Sequence, residues 1–169
     1  MEEVILVNEQ DEVLGTMEKL QAHEKGALHR AISVFIFNSN NELLLQRRAT
    51  HKYHSGGLWS NTCCSHPRLN EKTVDAAHRR LAEEMGMKSE LEFKFRFQYK
   101  SDMPNGLIEN EVDHIFFGYS DELPLMNLDE VDQFQYISLN KLKIDILNSP
   151  NNYTSWFLKL IDRVEIEMT

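Results

Sequence analysis

Cys63-Cys64-Ser65-His66 sets a thiol and an imidazole two residues apart, and Glu109-Asn110-Glu111 sets two carboxylates at the same interval. On an extended backbone, residues i and i+2 share a face, so each pair projects together. Adjacent carboxylates repel unless a cation or a shared proton lies between them. With the imidazoles of His23, His29 and His66, they make a donor set suited to zinc, manganese or iron rather than to a thiolate metal. Spacing alone leaves a second reading open, because a solvated strand face often carries two acids and His23 and His29 fit no short ligand motif. A thiol near a metal and a histidine can titrate near neutrality and move a proton. The alternative for Cys64 is a small buried hydrophobe, and the polar neighbours Asn61, Thr62 and Ser65 favour the chemical role.

A third group lies in Arg79-Arg80-Leu81-Ala82-Glu83-Glu84-Met85-Gly86. Anions near the C-terminal end of a helix oppose its dipole, so Glu83 and Glu84 there suggest a bound cation. Lys19, Arg47, Arg48, Lys52, Arg79 and Arg80 are available for an anion, and arginine forks match phosphate oxygens in paired hydrogen bonds. Taken singly, each of these cations reads first as a solvated surface charge.

Several elements must position these groups. Val4 to Val7 and Val13 to Met17 read as short strands joined by the polar turn Asn8 to Glu12. Ala31 to Phe37 is apolar on both alternating faces, as a strand covered on both sides requires. His23 and His29 precede it. The turn Asn38 to Asn41 and then Leu43-Leu44-Leu45 predict a hairpin. Val74, Ala77, Leu81 and Met85 predict a helix from about Glu71 to Met85, stopped by Gly86. Leu91, Phe93, Phe95, Phe97 and Tyr99 alternate with polar residues and predict a strand with one apolar face, Tyr99 being its last residue. Further strands are expected within Glu109 to Tyr119 and near Phe134 to Ile137, and Ser155 to Glu167 reads as an amphipathic helix.

The 169 residues suit one domain, and no apolar stretch approaches the ~20 residues of a membrane span. The formal charge of -9 argues against a nucleic-acid surface. The N-terminal Met1-Glu2-Glu3 carries no basic region followed by an apolar core, so a cytoplasmic location is the expectation. The two cysteines are adjacent, a geometry hostile to a structural disulfide.

The segment from Ser65 to Met87 resembles the Nudix box, Gly-x5-Glu-x7-Arg-Glu-U-x-Glu-Glu-x-Gly-U, where U is apolar and aliphatic. Ser65, Glu71, Arg79, Arg80, Leu81, Glu83, Glu84, Gly86 and Met87 keep every spacing. Ser65 stands where the box has Gly, and Arg80 where it has Glu. An arginine there removes an acid and adds a phosphate clamp, which points to a relative that holds a diphosphate without hydrolysing it. Leu58-Trp59-Ser60-Asn61-Thr62-Cys63-Cys64-Ser65-His66-Pro67 and Glu109-Asn110-Glu111-Val112 resemble the cysteine and paired-glutamate motifs of the type I isopentenyl-diphosphate isomerases. The likeness runs from Gly15-Thr16-Met17-Glu18-Lys19 to Trp156.

That resemblance implies an α/β (α+β) fold, a single Nudix-like layered domain over residues 1–169 with a mixed β-sheet flanked by helices. It implies interconversion of isopentenyl and dimethylallyl diphosphate by protonation to a carbocation and deprotonation. Cys64, Glu111 and Tyr99 match the proton-transfer residues, with Cys63 a bystander. Lys19, Arg48, Lys52 and Arg80 match the diphosphate-binding positions, and Trp156 the tryptophan at the hydrocarbon end. His23, His29, His66, Glu109 and Glu111 match the ligands of a divalent metal (manganese, zinc or magnesium), and Glu84 matches a carboxylate that helps hold magnesium on the diphosphate. A small isoprenyl diphosphate is then the partner, with no nucleic acid and no membrane, and a monomer is the expectation. The rival readings are a Nudix hydrolase of a nucleoside diphosphate derivative and a non-enzymatic metal- or phosphate-binding module.

Overall fold

The two-faced apolar run forms β3, His29–Phe37, in a computed structural model that describes residues 1–169. Phe35 and Phe37 join Phe117, Phe157 and Leu160 in one core, while Ile32, Val34 and Ile36 join Leu81, Met85 and Phe116 in another on the opposite face. Both faces are covered, so no polar alternation interrupts the run. β8, Ile108–Tyr119, lies parallel along one edge of β3, from His29 opposite Glu111 to Phe37 opposite Tyr119. β6, Cys63–Ser65, lies antiparallel along the other edge, with Cys64 opposite Ser33. His29, expected ahead of this strand, is its first residue, because pairing with Leu6 and Glu111 draws it into the sheet.

The N-terminal strands β1, Glu3–Val7, and β2, Val13–Glu18, form the expected antiparallel hairpin. Its turn is pinned by Asp11, which accepts from Arg30 at 2.7 Å and sits 2.8 Å from His114 Nε2. The chain then enters α1, Lys19–Lys25, where the Glu18 carboxylate accepts from the amides of Leu20 and Gln21. Seven residues are too few to show helical periodicity, and the sequence pattern missed this element.

β4, Glu42–Arg48, meets β3 only at Phe37 and Leu43 and then diverges to pair with β5, Trp59–Ser60, and β9, Val131–Ser138. The expected hairpin is therefore open. Thr62 is wedged into the fork: its hydroxyl accepts from the Ile36 amide at 2.9 Å and donates to the Leu44 carbonyl at 2.6 Å. This split brings the cysteine strand into the sheet beside β3.

α2 spans Thr73–Met85, two residues shorter at its start than periodicity suggests. Glu71 lies outside it because its carboxylate accepts from the Arg68 amide and from Arg79. At the other end Gly86 adopts φ 62°, and a Cβ there would lie 2.4 Å from the Leu125 carbonyl oxygen. β7, Leu91–Asp102, runs three residues past Tyr99 and carries a bulge between Phe93 and Phe95. The bulge breaks the single apolar face: Phe95 and Tyr99 enter one core, while Phe93 turns to the other side against Phe116. α3, Leu139–Asn148, lays Leu142, with Leu139 and Ile146 half-buried, on the core, a stripe the sequence reading passed over; α4, Ser155–Met168, buries Trp156, Phe157, Leu160, Ile161 and Val164. No helix is long and apolar enough to cross a membrane.

Candidate active site

α1, β3 and the residue just after β6 each bring an imidazole to one point. His29 Nδ1 lies 2.8 Å from the Ala27 carbonyl, which turns Nε2 towards Glu111 Oε1 at 3.2 Å. His23, buried on α1, has Nδ1 2.9 Å from the Tyr53 hydroxyl, and His66 Nε2 lies 3.1 Å from Glu111 Oε1. Ligand atoms of His23, His29, His66 and Glu111 all fall within 4.8 Å of one another. His23 Nε2, His29 Nε2 and His66 Nδ1 are buried with no hydrogen-bond partner. A buried unpaired polar atom costs about 1–3 kcal/mol, so the unpaired Nε2 atoms of His23 and His29, in one group with His66 and Glu111, fit a divalent cation. Burial and the neighbouring imidazoles lower His23 to about 4, and burial also lowers His66 against the pull of Glu111.

Glu109 and Glu111 project from the same face of β8, as their spacing requires, but they differ in charge. Burial works to raise Glu111, yet His29 and His66 outweigh it and hold its carboxyl well below the ordinary range. Burial and the nearby Glu111 push Glu109 well above that range. The two acids are thus driven in opposite directions, the usual outcome when two share a site. The Tyr99 hydroxyl joins them, 2.6 Å from Glu111 Oε2 and 3.3 Å from Glu109 Oε2. Glu109 stands outside the four-residue group of metal donors and approaches His54 Nε2 at 3.6 Å instead.

Cys64 and Glu111 lie on the strands flanking β3 and open into one cavity. Burial pushes the Cys64 thiol up to about 12, so it carries its proton at neutral pH. Cys63 is buried beside Ile32, Leu44 and Ala77 on the far side of the strand. The cavity is about 480 Å³ including its open mouth. Lys19, Arg48, Lys52, His66, Arg80, Glu84, Tyr99, Glu109 and Trp156 also border it, whereas His23 and His29, and the candidate charges Arg47, Arg79 and Glu83, do not. The Arg48 guanidinium lies 5.2 Å from the centroid of the Trp156 ring and 3.9 Å from Cys64 Sγ. Glu84, buried in the last turn of α2, accepts from Arg80 at 2.5 Å and from Gln46 at 2.9 Å.

Three residues here escaped the sequence pattern. Tyr53 and His54 sit in an irregular segment after β4, where no periodicity assigns a direction. His54 is nonetheless buried, edge-on to Trp156 at 6.1 Å and within 5.7 Å of His23. Asp113 does continue the two-residue period of Glu109 and Glu111; it is buried and accepts from the Ser33 hydroxyl at 2.7 Å.

A mixed sheet feeding carboxylates and cations from a short glutamate-rich helix into one cleft is the architecture of a Nudix protein, and the sequence model of the NUDIX domain matches residues 27–157. The crystal structure of DR0079 from Deinococcus radiodurans shares this fold, with a TM-score of 0.80 over 96% of this chain and 98% of that one at 18% identity. Isopentenyl-diphosphate Delta-isomerase 2 of Aromatoleum aromaticum is 53% identical over 96% of this chain and 86% of its own length. Isopentenyl-diphosphate Delta-isomerase of Pectobacterium atrosepticum is 51% identical over 96% and 90%. The chain belongs to the isopentenyl-diphosphate Delta-isomerase family of NUDIX-domain proteins.

Proposed function

We propose that this cavity carries out the allylic proton shift between isopentenyl diphosphate and dimethylallyl diphosphate, the activity that the relatives' names describe. The observation that carries the mechanism is the placement of the Cys64 thiol and the Glu111 carboxylate on opposite flanks of β3, facing one cavity; burial favours the protonated thiol, and His29 and His66 favour the ionised carboxylate. A carbon-carbon double bond is a very weak base. Adding a proton to its terminal carbon leaves a tertiary cation, and loss of a proton from the carbon on the other side of the cationic centre completes the shift. One group must give a proton and another must take one, and their roles exchange when the reaction runs backwards.

Tyr99 orients Glu111 and links it to Glu109 through one hydroxyl. Trp156 presents an aromatic face that already accommodates the Arg48 cation, and such a face stabilises a desolvated cation by about 0.5–2 kcal/mol. Lys19, Arg48, Lys52 and Arg80 hold the diphosphate, whose binding energy positions the small hydrocarbon. His23, His29, His66 and Glu111 would hold a divalent metal, with Glu109 beside them, and Glu84 a magnesium ion accompanying the diphosphate. Such a cation supplies fixed positive charge that keeps Glu111 ionised and in place. Arg80 removes one acid from the hydrolytic Nudix pattern, which supports isomerisation over water attack.

Proton NMR of isopentenyl diphosphate incubated with the purified protein and magnesium tests this reading. The expected product is dimethylallyl diphosphate with the diphosphate intact. Phosphate release from nucleoside diphosphate derivatives, without any allylic shift, would identify a hydrolase instead.

A further inference from the structure

Most cations of the diphosphate rim already hold carboxylates. Lys19 lies 3.1 Å from Glu2, and Arg80 lies 2.7 Å from Glu83 and 2.5 Å from Glu84. Glu130 differs from these because it bridges two of the cations, pairing closely with Lys52 and reaching Arg80 Nη2 at 3.4 Å. It sits immediately before β9, where its backbone carbonyl accepts from the Ala49 amide at 3.0 Å. That bond ties it to the segment leading to Lys52, and its side chain links Lys52 on this loop to Arg80 on α2. Burial works to raise its carboxyl, but Lys52 and Arg80 outweigh burial and hold it below the ordinary range. Glu130 is therefore an anion at neutral pH. A carboxylate spanning a lysine and an arginine has the charge and the oxygen spacing of one phosphate edge.

We propose that Glu130 is the displaceable counter-ion of the diphosphate site, and that its charge makes the site prefer a diphosphate already carrying a divalent cation. The inference rests on reading this rim as the diphosphate site. Bare diphosphate has to break the Lys52 pair and then lie beside Glu130, Glu83 and Glu84 with its own charge uncompensated. Diphosphate bound to magnesium brings less negative charge to the same carboxylates, and it displaces Glu130 against weaker repulsion. Like charges set side by side at a binding surface cost several kcal/mol, so the effect is large enough to measure.

Calorimetric titration of the full chain with inorganic diphosphate, with and without magnesium, tests the proposal on wild type and Glu130→Gln. Metal-free diphosphate is expected to bind Glu130→Gln about fivefold or more tightly than wild type. The magnesium complex should change less than about threefold, so that the advantage conferred by magnesium shrinks. Glu130→Ala should act in the same direction, with thermal melting to verify that both variants fold. Unchanged or weaker metal-free binding by the variants, with wild-type binding intact, would overturn the counter-ion role alone. Failure of diphosphate to bind any of the three proteins would overturn the rim itself, and the counter-ion role with it.

Discussion

Replacing Tyr99 by Phe removes a single oxygen from the centre of the site and leaves the ring packing intact. The hydroxyl has one proton to donate and two carboxylates in reach, Glu111 at 2.6 Å and Glu109 at 3.3 Å, so the proton goes to the nearer, ionised Glu111. A hydrogen bond to a charged group contributes about 1.5–3 kcal/mol. If that energy fixes Glu111 for proton transfer, its loss lowers kcat about 10- to 100-fold. KM should stay within about threefold, because the hydroxyl bonds to the two glutamates and to no cation of the diphosphate rim. Glu111 keeps His66 at 3.1 Å and His29 at 3.2 Å, so the fold survives and the loss appears in the chemical step. NMR progress curves at saturating and limiting isopentenyl diphosphate separate the two parameters, and denaturant unfolding checks the fold. A kcat within twofold of wild type, or a rise in KM alone, would refute the orienting role.

Two further outcomes follow from geometry outside the proton-transfer pair. Gly86→Ala should destabilise the protein by about 2 kcal/mol or more in urea unfolding, since alanine disfavours φ 62° and its Cβ would meet the Leu125 carbonyl. His54 is held at about 3 by burial and by Arg48, against an ordinary value of 6.5. The unfolded chain therefore takes up a proton as pH falls through 6.5 that the folded chain refuses. The stability His54 contributes is complete above its unfolded value and is lost as pH falls towards its folded one. The stability difference between wild type and His54→Phe should then move towards the variant by about 1–2 kcal/mol between pH 7 and pH 5. A pH-independent difference would show that His54 titrates normally.

Legibility in the sequence followed the physical cause of each element. β3 was plain because both its faces are buried, and α2 because one stripe faces the core beneath Gly86. The fork between β3 and β4 was invisible because it depends on one hydroxyl, that of Thr62, bonding backbone on both sides. The bulge in β7 was hidden because Phe93 and Phe95 are both apolar and either could have faced either core. Within the site, the i, i+2 spacings put Cys64 beside His66 and Glu109 beside Glu111, but only the family resemblance joined the two pairs across the chain. The structure brings them together because β6 and β8 share β3 as neighbour. His54 could not be reached by spacing, since an irregular segment carries no periodic signal for where its side chains point.

The account turns on a thiol and a carboxylate dividing the proton traffic between two flanks of one strand. Turnover of isopentenyl diphosphate in heavy water by Cys64→Ala and Cys63→Ala, read as deuterium entering the product carbons, tests this most directly. Cys63→Ala should exchange within about threefold of wild type, and Cys64→Ala should lose about two to four orders of magnitude with its fold intact. Equal exchange rates in the two variants would remove Cys64 from the chemistry and contradict the account.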